Sequence, residues 1–129
     1  MNGVPTTLRF ALERNAHASR LARRRLQEAL GDDVPIRFIR DTILLTSELV
    51  TNAMIHTTEG CEVCVVFVQC RSHIRVEVSD TSLEPLNPRA PGPTDVGGLG
   101  LQLVSEIATT WGSTRQPSGK TVWFEISGE

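Results

Sequence analysis

The sequence contains no long apolar run, no dominant sign of charge and few cysteines, and each absence removes a class of protein. Met1 to Arg9 holds no extended hydrophobic stretch and charged residues are scattered along the rest of the chain, so neither a signal peptide nor a membrane span is expected. A cytoplasmic location follows from that reading. Thirteen basic against fifteen acidic residues leave a formal charge of -2, which argues against a large sequence-independent affinity for nucleic acid while leaving room for a small basic patch. Cys61, Cys64 and Cys70 lie in a Val-rich segment and suit small buried hydrophobes in a reducing compartment better than a disulfide framework. Cys61 and Cys64 have the spacing of a metal or redox pair, but no second pair or histidine cluster completes a zinc site, and residues three apart in a strand point to opposite faces. With 40% hydrophobic and 22% charged residues, the composition excludes disorder and fibrous repeats. The 129 residues fit one domain, 1–129, around one core.

Hydrophobic periodicity divides the chain. Residues 6–13 alternate through Leu8, Phe10 and Leu12, the period of a half-buried strand. Ala18, Leu21, Ala22, Leu26, Ala29 and Leu30 then recur at three and four, predicting an amphipathic helix from about Ala16 to Leu30 that stops at Gly31. Arg20, Arg23 and Arg24 face outward from it, as a solvated face or as a partner-binding surface. A second helix is predicted from Ile36 to about Thr57, with Ile36, Ile39, Ile43, Val50 and Met54 as its buried stripe. Two strand-like runs, 61–70 and 73–80, are joined by Arg71-Ser72 as in a hairpin, and alternation puts Ile74, Val76 and Val78 on one face. Four prolines between Thr81 and Gly98 exclude a helix or central strand and leave a loop of functional length. Gly97-Gly98-Leu99-Gly100 leads into a third helix ending near Thr110, and the last strands, 111–116 and 119–127, turn around Pro117-Ser118-Gly119.

Three segments carry chemistry. Glu48, Asn52 and His56 are spaced by four, so a helix stacks them on one face. A carboxamide oxygen such as that of Asn52 is a neutral, hard ligand for Mg²⁺, and Glu48 one turn earlier could polarise a hydroxyl or water for in-line attack on a terminal phosphate. The same three residues also fit a plain polar helix stripe. Asp80 ends an apolar strand, and a fixed carboxylate acceptor there can select the amino group of adenine over the carbonyl of guanine. A strand-end Asp also suits a simple turn. The run Gly97-Gly98-Leu99-Gly100-Leu101 removes side chains where backbone amides would approach a phosphate, and it opens a helix whose N-terminal dipole favours anions, which makes a triphosphate the natural guest. It is neither a P-loop nor a dinucleotide fingerprint, and a mere hinge would use the same glycines.

Taken in order, these segments resemble the GHKL ATPase superfamily with its Bergerat fold, and most closely the small bacterial anti-sigma-factor serine/threonine kinases. Glu48-Leu-Val-Thr-Asn52-Ala-Met-Ile-His56 looks like the family's N box, Val76-Glu-Val-Ser-Asp80 like its G1 strand and Gly97-Gly-Leu-Gly-Leu101 like its G2 box, while Gly119-Lys-Thr-Val-Trp-Phe124 is similar to the closing strand. The resemblance implies an α/β two-layer sandwich, a mixed, mainly antiparallel sheet with about three helices on one face, and a loop from Thr81 to Val96 acting as an ATP lid. It implies ATP and Mg²⁺ as cofactors, with Glu48 as catalytic base, Asn52 on the metal, Asp80 on adenine and Gly97, Gly98, Leu99, Gly100 and Leu101 around the phosphates. Thr121 would hold a water near the base. The implied partners are a sigma factor and an anti-anti-sigma protein of STAS type, with no direct nucleic acid or membrane contact, in a homodimer. One departure is visible: where the family has Asp-x-Gly-x-Gly, this chain has Asp80-Thr81-Ser82-Leu83-Glu84. A nucleotide-binding interaction switch without kinase activity is therefore an alternative. A detached histidine-kinase ATPase domain is a further one, set lower because no histidine-bearing dimerisation segment precedes the pocket.

Overall fold

The computed structural model describes residues 5–31, 34–56, 62–71, 73–81 and 96–128. In chain order the elements are β1 (Thr6–Glu13), α1 (Ala18–Ala29), α2 (Ile36–His56), β2 (Glu62–Cys70), β3 (His73–Asp80), α3 (Val96–Ile107), β4 (Thr110–Gln116) and β5 (Gly119–Ser127). The expected elements are all present, with bounds shifted by no more than about three residues. Cys61, Ser72 and residues 82–95 of the proline-rich loop lie outside the described residues, and Val96 to Gly98 belong to α3.

The strands form one sheet in the order β1-β2-β3-β5-β4. The sheet expected to be mainly antiparallel is antiparallel in every described pairing. Alternation sends Val63, Val65 and Phe67 of β2, Ile74, Val76 and Val78 of β3, and Val122, Phe124 and Ile126 of β5 to the face on which the helices pack, where all are buried. The opposite face holds an ordered polar layer. The Arg75 guanidinium lies 4.3 Å from the centre of the Trp123 ring and bonds Glu125 at 2.7 Å and Glu77 at 3.0 Å. Burial alone would lower the Arg75 pKa, but these hydrogen bonds outweigh it and hold the group above its ordinary value. Gly112 sits opposite Trp123 in the register, and a Cβ there would come within 2.8 Å of the indole.

The helices depart from expectation in which side they bury. On α2 the core side is Phe38, Thr42, Leu45, Leu49, Val50 and Ala53, whereas Ile36 is 67% exposed and Ile39, Ile43 and Met54 are only partly covered. The helix lies between α1, α3 and the sheet, so apolar residues recur around most of its circumference; of the expected stripe Val50 is in the core, Ile39, Ile43 and Met54 pack at its edge and Ile36 is exposed. On α1, Ala18, Ala22 and Leu26 are buried but Leu21 is 45% exposed. Arg20 and Arg24 face solvent as expected. Arg23 does not, because its guanidinium reaches α2 and donates to Ser47 Oγ at 2.9 Å.

Candidate functional site

Two short contacts pin α2 where its polar residues stand. Arg23 bonds Ser47, and Ser19 Oγ meets Thr51 Oγ1 at 2.6 Å, so the residues just before Glu48 and just before Asn52 are each tied to α1. These ties fix the rotation of α2 about its axis. Asn52 is buried at 4% exposure, and its Oδ1 has no hydrogen-bond partner among the described residues. Glu48 is half-buried one turn earlier. The His56 side chain lies outside the described residues.

Asp80 ends β3 on the face that packs against the helices and is 7% exposed. Directly opposite it on β5 stands Lys120, whose side chain is 2% exposed and whose Nζ lies 3.6 Å from Asp80 Oδ1. Lys120 Nζ has no hydrogen-bond partner among the described residues. The close approach of the two strands depends on Gly119, which has a φ of +150° and would place a Cβ 1.9 Å from the Asp80 carbonyl oxygen. A cleft of about 330 Å³ at this end of the sheet reaches Asp80, Thr81 and Lys120, but it opens mainly on the face away from the helices, where Glu62, Cys64, Ser79 and Thr121 line it. A second cavity of about 380 Å³, between the start of α1 and the end of α2, receives none of Glu48, Asn52, Asp80 or Lys120.

Gly97, Gly98, Leu99 and Gly100 lie within the first turns of α3, which begins at Val96 and therefore includes the glycines instead of following them. The first backbone N–H groups of a helix have no partner inside it, and with the helix dipole they favour an anion. Leu101 is 2% exposed and its side chain belongs to the core, which leaves only its backbone for a ligand. Thr121, expected to hold a water near the base, does not share the face of Asp80 and Lys120. Its hydroxyl lies on the opposite face of the sheet, 2.8 Å from Ser79 Oγ and 3.4 Å from Gln116 Nε2.

Lys120 is the residue that sequence reasoning left out of the site. The signal was present, because Lys120 shares its parity with Val122, Phe124 and Ile126, and Asp80 shares its own with Ile74, Val76 and Val78. Thr121, one residue on, falls on the other face by the same rule.

The donor set suits a magnesium nucleotide. A buried, unpartnered carboxamide oxygen is the kind of ligand Mg²⁺ takes, and a buried carboxylate at a strand end is an acceptor for an exocyclic amine. Among the described residues no group of three or more His, Cys, Asp or Glu gathers to hold a metal by itself. A metal here would be shared with a ligand's phosphates.

A model of the histidine kinase-like ATPase domain matches residues 8–126. Among solved structures, the chain is similar to the catalytic domain of histidine kinase ThkA, at 16% identity and a TM-score of 0.54 over 69% of this chain and 66% of that one. It is also similar to the histidine kinase domain of the blue-light activated histidine kinase EL346 of Erythrobacter litoralis, at 18% identity and a TM-score of 0.58, covering 85% of this chain and 59% of that one. Another structure of EL346 gives 22% identity and a TM-score of 0.59 over 90% of this chain and 42% of that one. These likenesses concern the fold, and the chain spans less than two thirds of each solved chain. No curated protein matches it significantly in sequence.

Proposed function

As the chain belongs to the histidine kinase-like ATPase domain family and is an ATP-binding domain of that kind, we propose that it is an anti-sigma factor that phosphorylates a serine or threonine of an anti-anti-sigma partner of STAS type. The observation that carries the kinase reading is Glu48, half-buried one helical turn before Asn52 and held by the α1 ties. In this reading Asp80 accepts a hydrogen bond from the adenine amino group and the first amides of α3 receive the phosphates. Asn52 Oδ1 would hold Mg²⁺, which when bound neutralises phosphate charge and orients the terminal phosphoryl group. Glu48 accepts the proton of the partner's hydroxyl as that oxygen attacks the γ-phosphorus in line, and ADP leaves with the bridging oxygen. The motif order and the helix spacing support this assignment.

The test is incubation with labelled ATP and an STAS-type partner protein, followed by mapping of the phosphorylated residue. Label on serine or threonine with wild type and a loss of about 100-fold or more with Glu48→Ala is expected, in line with a general base. A second reading is favoured by the absence of glycine from Asp80-Thr81-Ser82-Leu83-Glu84: the nucleotide acts only as a switch on a protein interface. ATP binding without label on any partner, and with equal turnover in wild type and Glu48→Ala, would decide for it.

A further inference from the structure

Lys120 is a buried cation whose environment is incomplete. An ammonium carries three donors, yet Nζ makes no hydrogen bond among the described residues, and its 3.6 Å separation from Asp80 Oδ1 exceeds the length of a charge-assisted hydrogen bond. Burying such a group is costly unless an acceptor meets it. The register places the Lys120 backbone directly opposite Asp80, and Gly119 lets the two strands approach closely at that point. The result is a carboxylate acceptor and an ammonium donor side by side, on the helix-facing side of the sheet, at the end where the ligand is assigned.

We propose that Lys120 is a specificity-determining residue that donates to ring nitrogen N1 of adenine while Asp80 accepts from the 6-amino group, so that the base is read at two adjacent atoms. This rests on the ATP-binding reading of the same pocket. The Watson–Crick edge of adenine presents a donor, the 6-amino group, beside an acceptor, N1. Set against Asp80 and Lys120 in that order, both atoms are matched and the ammonium gains the acceptor it lacks. Guanine placed in the same orientation turns its carbonyl toward the carboxylate and its N1–H toward the ammonium, and both contacts are repulsive. The pair therefore reads the order of donor and acceptor as well as their presence.

The experiment compares calorimetric binding of ATP, 1-deaza-ATP and GTP to the full chain and to Lys120→Met. In 1-deaza-ATP a C–H replaces N1 and the amino group is retained. Wild type is expected to bind 1-deaza-ATP about 10- to 100-fold more weakly than ATP, the range for a hydrogen bond to a charged group, and to bind GTP more weakly still. In Lys120→Met, ATP and 1-deaza-ATP should bind within about threefold of each other. A 1-deaza penalty of equal size in both proteins would assign N1 to another group and overturn the proposal. The wild-type comparison needs no variant to fold and overturns the proposal by itself if the two nucleotides bind alike. Absence of ATP binding to wild type is a separate result, in which the nucleotide reading itself fails.

Discussion

At Gly119 the backbone has a φ of +150° and faces the Asp80 carbonyl so closely that no side chain fits. Gly119→Ala is expected to destabilise the protein by more than about 2 kcal/mol, since a steric clash adds to a strained φ, and to weaken ATP binding by at least about tenfold because Asp80 must move. Urea unfolding and calorimetry together check this. A related prediction concerns the charge pair. Asp80→Ala leaves the Lys120 ammonium buried beside an apolar residue and should cost about 3–5 kcal/mol in stability; the double variant with Lys120→Met should recover part of that loss in the same urea titration. If the double variant is no more stable than Asp80→Ala, the ion pair is not the cause. At this scale the residue types of the site were readable from spacing, and so was the face each occupies, because alternation alone separates Asp80 and Lys120 from Thr121. Their contact was not readable, since it depends on the pairing register of β3 with β5, which pairs positions 40 residues apart.

Among the elements, α2 illustrates what periodicity conveys and what it leaves open. Its length and ends were legible: Pro35 stands just before it, and the Pro35 carbonyl accepts from Phe38 and Ile39 at 2.9 and 3.2 Å. The side that it buries was not, because a helix covered by two other helices and a sheet has no single apolar stripe. Two threonines are the clearest case. Thr42 and Thr46 are fully buried, and their hydroxyls have no hydrogen-bond partner among the described residues. Thr42→Val and Thr46→Val should each stabilise the protein by about 1 kcal/mol, as shape is kept and an unsatisfied polar group removed, read as a higher urea midpoint with an unchanged slope. Leu45→Ala, on the same side of α2, should cost about 2–5 kcal/mol through lost contacts and a cavity. The α1 ties are a different matter. Ser19→Ala with Arg23→Ala removes both bonds to α2 and is expected to lower ATP affinity severalfold with a stability cost of about 1–3 kcal/mol, measured by calorimetry and urea unfolding.

For the molecule as a whole, a ligand that binds only the folded chain stabilises it by mass action. ATP with Mg²⁺ at about 100 times its dissociation constant should add about 2.7 kcal/mol, seen as a rise in thermal midpoint that Asn52→Ala reduces when Mg²⁺ is present. An equal shift in wild type and variant would separate Asn52 from the metal. Among the described residues no helix is long and apolar enough to cross a membrane, and the helices pack on one face of the sheet. The order of its strands also sets an order of assembly. β2 with β3, and β4 with β5, are neighbours in sequence and close as hairpins, but β1 pairs with β2 from Thr6↔Gln69 to Glu13↔Glu62, across about 50–60 residues. Closing so long a loop delays its contacts relative to the hairpins. During synthesis β1 leaves the ribosome before β2, and until β2 follows it, Leu8, Phe10 and Leu12 have no neighbouring strand of this sheet to pair with.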